Sequence, residues 1–295
     1  MTPHTPNHNG NQSQSQSQKH GHEHEHEHEH DEPAMAEMLD LAADVLASSL
    51  SEIINWVGGL APAAPRRVVD VGAGTGTGSR ALGRRFPTAE IVALDQSSFM
   101  LGRLEALARA NGRTDRIRAL QADLDDAWPD VREADVVWAA LSMHHFADPD
   151  RVLRDIRSAL NPDGLLAIVE MDAFPRFLPD DIGIGRRGLE QRCSEAAGDA
   201  SWNTNLDWGP NLERSGFEIV EKRTFDMDVD PATSSLGRYA HASLRRTRST
   251  LTGILSDDDV ATLDRLLDED SPESILRRTD LTVRGSRTAW AARSL

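Results

Sequence analysis

Cysteine is nearly missing from this chain: one, Cys193, stands among 295 residues. That excludes a disulfide framework and a zinc site built on cysteines. No apolar run is long enough to cross a bilayer, and the N-terminus lacks the apolar core of a secretory signal. Positive charge is also short. Lys and Arg number 32 against 48 Asp and Glu, a formal net charge of -16. Such a surface repels phosphate backbones and disfavours nucleic acid as a partner, while leaving room for a local basic groove. These absences point to a cytoplasmic protein with no membrane segment and no nucleic-acid partner. The length suits one domain carrying inserted elements.

What is abundant at the start is histidine and glutamate. Eight of the eleven histidines precede residue 31, within QSQSQSQ and HGHEHEHEHEHDE. Residues 1–32 read as a disordered tail, too polar and repetitive to bury a core. The alternating His20, His22, His24, His26, His28 and His30 suit non-specific binding of Zn²⁺ or Ni²⁺ by neutral imidazoles, without the fixed geometry of a catalytic metal site. From Pro33 the character changes. Apolar residues at 35, 38, 39, 41, 45, 46, 50, 53, 54 and 57 predict an amphipathic helix or helix pair over 33–66.

The stretch RVVDVGAGTGTG, Arg67 to Gly78, carries the most information. An apolar run with one embedded acid, Asp70, enters glycines at 72, 74, 76 and 78. This predicts a buried parallel strand, a tight turn that brings backbone close to a ligand, and a helix. About twenty residues on, IVAL ends in Asp95, a carboxylate placed to accept hydrogen bonds from a ribose diol. The dinucleotide fingerprint G-x-G-x-x-G is out of phase, because Thr77 stands where its third glycine belongs. Asp70 would also repel a pyrophosphate. It suits a ligand bearing an ammonium and a sulfonium.

Strand and helix patterns then alternate. A helix follows Asp95; RIRALQADL predicts a third strand ending at Asp123; Ala134 to Ala140 predict a fourth; Asp148 caps a helix; NPDG is a turn; Leu165 to Glu170 predict a fifth strand. This predicts an α/β fold with a parallel sheet covered on both faces. Beyond it, IGIGRRGLEQRCSEAAG and a segment around Trp208 predict helices, Phe217 to Arg223 a sixth strand, and two further helices, the second capped by Ser256. Val283 to Ala291 predict a last strand.

At Asp70 to Gly78, and through the acids that follow in order, the chain resembles the class I S-adenosylmethionine (SAM) dependent methyltransferases, whose first motif has the form hh(D/E)hGxGxG. The resemblance implies a Rossmann-like, doubly wound, seven-stranded sheet with the last strand antiparallel. It spans 67–295, with helical insertions at about 173–215 and 231–280 that form a cap over the substrate; the second insertion is alternatively a homodimer interface. It implies SAM as cofactor, with Asp70 near the ammonium, Gly72, Ala73 and Gly74 near the methionine part, and Asp95 on the ribose. Gln96 lies beside the adenine, Asp123 with Ala122 and Leu124 holds it, and Ala139 and Ala140 lie near the methionine moiety.

The implied activity is methyl transfer to a small-molecule acceptor through O, N or C. Alternatives are a protein methyltransferase, or a SAM-binding protein with a metal-sensing or metal-storing tail. His144 and His145, after the fourth strand, are the candidate general bases. Glu170, Asp172, Tyr239 and His241 are weaker candidates. Trp138 reads as core, and Trp202 and Trp208 as pocket lining or cap packing.

Overall fold

The computed structural model describes residues 32–110, 116–199, 207–227, 229 and 233–295. Among them seven strands form one sheet: β1 (Arg67–Val71), β2 (Glu90–Asp95), β3 (Ile117–Gln121), β4 (Ala134–Ala140), β5 (Leu160–Met171), β6 (Phe217–Asp226) and β7 (Ser286–Ser294). Their order is β3-β2-β1-β4-β5-β7-β6. The first five are parallel, and β7 runs antiparallel between β5 and β6. This is the Rossmann-like, doubly wound sheet with an antiparallel last strand.

Each face has its own core. On one face α2 (Ala47–Leu60), α3 (Thr77–Arg85) and α4 (Ser98–Ala110) pack Ile53, Val57, Leu82 and Leu104 onto Val68, Ile91, Trp138, Ala167 and Ala289. On the other, α5 (Pro149–Ala159) and α7 (Gly209–Arg214) pack Val152, Leu153, Ile156, Trp208 and Leu212 onto Val69, Val71, Val137 and Ile168. Alternate residues of β1 thus face opposite cores, as the pleat requires. Trp138 is core, as its sequence context predicts.

A third core belongs to the helical cap. Leu41 and Val45 of α1 (residues 32–45) meet Leu189 and Cys193 of α6 (Leu189–Asp199). With them pack Tyr239, Ala240 and Leu244 of α8 (Leu236–Thr250) and Leu263 and Leu266 of α9 (Asp257–Leu267). Each such aliphatic side chain contributes about 1.5–3 kcal/mol when fully buried. The N-terminal apolar stretch is therefore two helices with a break at Leu46, one serving the cap and the other the sheet. Buried Asp259 ties the cap together: its carboxylate accepts from Arg192 Nε at 3.0 Å and from Arg186 at 3.1 Å. These bonds hold its pKa below the usual carboxylate range.

Local signals explain the ends of elements. Asp148 accepts from the Arg151 backbone N–H at 2.9 Å with Pro149 following, and Ser256 accepts from Asp259 N–H at 3.3 Å, so both are N-caps. Gly216, at φ 83°, takes the left-handed conformation that ends α7.

Four sequence boundaries need correction. β3 stops at Gln121, which leaves Asp123 on a loop. β5 begins at Leu160, where a bridge to Ala134 precedes a register shift and regular pairing from Leu165. The helix expected from Ile182 begins only at Leu189, because Gly183, Gly185 and Gly188 have positive φ. The last strand runs Ser286–Ser294, later than the apolar pattern indicates, since Val283 and its neighbours belong to the approach to the sheet. The first insertion also divides: α6 joins the cap, whereas α7 packs on the sheet.

Candidate active site

Strand order reverses between β1 and β4: from β1 the chain goes to β2 and β3, and from β4 to β5 on the other side. Such a reversal opens a crevice outside the carboxyl ends of the strands. The turn after β1 lies at its mouth. Gly72 has φ 69°, and a Cβ there would stand 2.4 Å from Ser142 Cβ. Only glycine takes that conformation at that distance without strain. Ser142, buried in the loop after β4, donates its Oγ–H to Val71 O at 2.7 Å and so stitches the two loops together. The cap reaches this turn too. Leu39 of α1 lies 3.3 Å from where a Gly74 Cβ would be, and Glu32 accepts from Ser97 Oγ at 2.5 Å.

The acids sit in three different settings. Asp70 is buried beneath the start of α3, where its Oδ2 accepts from Ser79 Oγ at 2.6 Å. Burial pushes its pKa up to about 6, against the opposing pull of the Ser79 bond. Asp95, half-buried at the end of β2, accepts from Gly74 N–H at 2.8 Å and from Ser97 N–H at 2.9 Å. It therefore shapes the glycine turn from the adjacent strand. Asp123 is exposed and closes an Asx turn by accepting from Asp125 N–H at 2.9 Å. Beside these, Gln96 is exposed and its carbonyl accepts from Gln121 Nε2 at 2.9 Å. Ala122 N–H donates to Asp95 O at 2.9 Å. Leu124 and Ala139 are buried, Ala140 half-buried, and Ala73 buried within the turn. Ala73 N–H donates to Leu94 O at 2.9 Å.

The chain leaves β4 sharply. Leu141 has φ 57° and donates its N–H to Val169 O at 2.8 Å. A leucine in this region is strained, and such strain collects at functional sites. The bend leads into a short 3-10 turn, Met143–His145. His144 Nδ1–H donates to Glu170 Oε2 at 2.8 Å. The sequence offers these two as separate candidates, and the fold makes them one pair. Glu170 is buried, and its Oε1 has no hydrogen-bond partner. The His145 ring lies 4.1 Å from that of His144. Burial first, then the neighbouring His144 and Arg246 charges, lower the His145 pKa, which leaves it a neutral imidazole at pH 7.

The other candidates stand elsewhere. Asp172 accepts from Ser286 Oγ at 2.5 Å and Thr288 Oγ1 at 2.7 Å, locking the end of β5 to the start of β7. His241 Nε2–H donates to Leu267 O at 3.1 Å, which joins α8 to the end of α9. Tyr239 is buried edge-on to Phe177, with ring centroids 5.2 Å apart; burial pushes its phenol pKa up. Trp208 is core on the α5 face of the sheet. Trp202 and the tail histidines His20 to His30 lie outside the described residues. Two contributors escape sequence reasoning: Ser79 and Ser142. Serine is too common to flag at any one position.

Comparison with known proteins agrees with this arrangement. A family model of methyltransferase domains matches residues 69–166, from within β1 to within β5. The malonyl-(acyl-carrier protein) O-methyltransferase of Xylella fastidiosa is 30% identical over 77% of this chain and 66% of its own length. That of Laribacter hongkongensis is 32% identical over 52% of this chain. The chain spans about half the length, 51%, of the latter. A solved Bacillus halodurans protein regarded as a methyltransferase shares the fold at a TM-score of 0.52, with 17% identity, 82% of this chain and 97% of that one covered. The chain belongs to the class I SAM-dependent methyltransferases, and SAM is the cofactor of that family. The residues present fit it: a turn whose glycines leave no side chain between backbone and ligand, an acid at the tip of β2, and no charge pattern suited to a pyrophosphate.

Proposed function

We propose that this chain transfers the methyl group of SAM to a small-molecule acceptor, through oxygen, nitrogen or carbon. The observation that carries this reading is the His144–Glu170 pair, 2.8 Å apart, at the crevice beside the glycine turn and under a cap with its own core. A helical cap suits a small acceptor better than the open groove a protein substrate needs. The two relatives are both malonyl-(acyl-carrier protein) O-methyltransferases, which favours oxygen. The charge of -16 disfavours nucleic acid, and a single cysteine suits the reducing cytoplasm. In this reading 67–295 is the catalytic domain, 33–66 its helical preface and 1–32 a tail.

Bound SAM supplies an already activated methyl electrophile. The protein's own share is holding, aligning and deprotonating. Asp95 spends one lone pair of each oxygen on Gly74 and Ser97, and a carboxylate offers about four acceptor sites, so it still receives a ribose diol. Asp123, with the Ala122 and Leu124 backbone, holds the adenine beside Gln96. Gly72, Ala73 and Gly74, with Ala139 and Ala140, border the methionine part, and Asp70 supplies negative charge beneath its ammonium. Glu170 fixes the His144 tautomer with the proton on Nδ1, which leaves Nε2 as the acceptor for the proton of the nucleophile. His145, already neutral, is the alternative base. The cap excludes water.

Calorimetric titration with SAM and S-adenosylhomocysteine, beside Asp95→Ala, tests the reading. Saturable binding is expected in the wild type and about hundredfold weaker binding in the variant, from the loss of two charge-assisted hydrogen bonds. A folded wild type that binds neither ligand refutes it.

A further inference from the structure

Arg287 is a cation with nothing to neutralise it directly. It lies near the start of β7, in register with Met171 of β5 on one side and Phe225 of β6 on the other. That places it at the carboxyl edge of the sheet, where β5 ends. Its Nε is buried and has no hydrogen-bond partner, and no ion pair joins its guanidinium to a carboxylate among the described residues. Protein surrounds it closely enough that burial lowers its pKa, with Glu170 and Tyr239 the charged and titratable groups near it. The residue as a whole is half-buried, as expected of one in the wall of a recess at the sheet edge. A guanidinium between Met171 and Phe225 costs free energy that an aliphatic residue would not, and a bound anion offsets that cost.

We propose that Arg287 is a specificity-determining residue that binds a carboxylate group on the methyl acceptor. The proposal rests on the methyl-transfer reading, which sets the acceptor in this recess. Arg287 pairs in register with Met171, the residue after Glu170, the partner of His144, so an acceptor anchored by its carboxylate at this strand end has a second group within reach of that pair. The guanidinium fork matches the planar carboxylate with two parallel hydrogen bonds. A phosphate dianion matches it too, but it sets two negative charges on one group beside the fork, where each carboxylate sets one. One cation therefore selects the monoanionic carboxylate.

Tyr239 provides the readout. It is the only tyrosine in the chain, and Arg287 is among the groups that act on its phenol, opposing the upward push of burial. Selective ¹³C labelling of tyrosine gives one ring signal beside the proposed site. The full chain, saturated with S-adenosylhomocysteine, is titrated with succinate, with its uncharged diamide succinamide, and with inorganic phosphate. Succinate is expected to shift the signal saturably, at least tenfold more tightly than succinamide or phosphate. Arg287→Gln is expected to weaken succinate at least tenfold while still binding S-adenosylhomocysteine, and Arg287→Lys to keep part of the affinity. No shift with succinate, an equal shift with succinamide, or an unchanged affinity in a folded Arg287→Gln overturns the proposal. Tighter binding of phosphate replaces carboxylate by phosphate and overturns the assignment. If Arg287→Gln fails to fold, the wild-type comparison of succinate with succinamide decides alone. Failure of S-adenosylhomocysteine to bind counts against the cofactor reading, and the succinate titration without it still answers for Arg287.

Discussion

Replacing Asp70 by asparagine should stabilise the protein, and the gain should grow with pH. Asp70 is buried, and its carboxylate accepts from Ser79. Burial raises its carboxyl from an ordinary 3.8 to about 6. A raised carboxyl pKa means that the folded state holds the proton longer than the unfolded state. The group's contribution is thus fully present below pH 3.8 and is lost as pH rises through about 6. The full loss is about 3 kcal/mol, since each pKa unit is worth about 1.4 kcal/mol. Asparagine stays neutral throughout and still accepts from Ser79. The variant should therefore exceed wild type by about 1.6 kcal/mol at pH 5 and about 3 kcal/mol at pH 8, plus a constant for the change of shape. Urea denaturation of both proteins across that range measures the gap, and the titrations of all other groups cancel in the difference. A gap that stays flat or narrows from pH 5 to pH 8 would refute the reasoning. The same variant should bind SAM more weakly, because the buried charge that costs stability is the one offered to the ammonium.

Other outcomes are accessible to routine assays. His144→Ala should lower kcat by about 10²–10⁴ while S-adenosylhomocysteine affinity stays within about twofold. Glu170→Gln should lower kcat less, by about 10–100-fold, as expected when the orienting partner is lost and the base remains. Gly72→Ala should destabilise the fold by about 1–3 kcal/mol, by combining a positive φ with a Cβ 2.4 Å from Ser142 Cβ. Adding Ser142→Gly should recover part of that loss in thermal unfolding; strict additivity of the two losses would show that the clash is not the cause.

The sheet was readable because its signals are local. Each buried strand writes a continuous apolar run, and glycine can be replaced nowhere in the turn at Gly72 without cost. Caps such as Asp148 and Ser256 are equally local. The ends of β3, β5 and β7 were misread because pairing with a distant strand, rather than composition, decides where each stops. Asp172 looked like a candidate base, yet two hydroxyls of β7 occupy it. Glu170 looked weaker than the histidines, yet it completes one of them. Arg287 was invisible, since what distinguishes it is a buried Nε without a partner among the described residues. Nothing in the order of residues records such a vacancy.

β7 is the seam of the molecule. It alone joins β6 to the rest of the sheet, and it follows the whole cap in sequence. Until it is synthesised, β5 presents an unpaired apolar edge, LLAIV, and β6 has no strand to pair with. Such an edge is a template for association with other chains. The growing polypeptide thus passes through a stage in which its most adhesive strand is complete and uncovered. The arrival of β7 is therefore the step that closes this edge, and the order of synthesis leaves it until the end of the sheet.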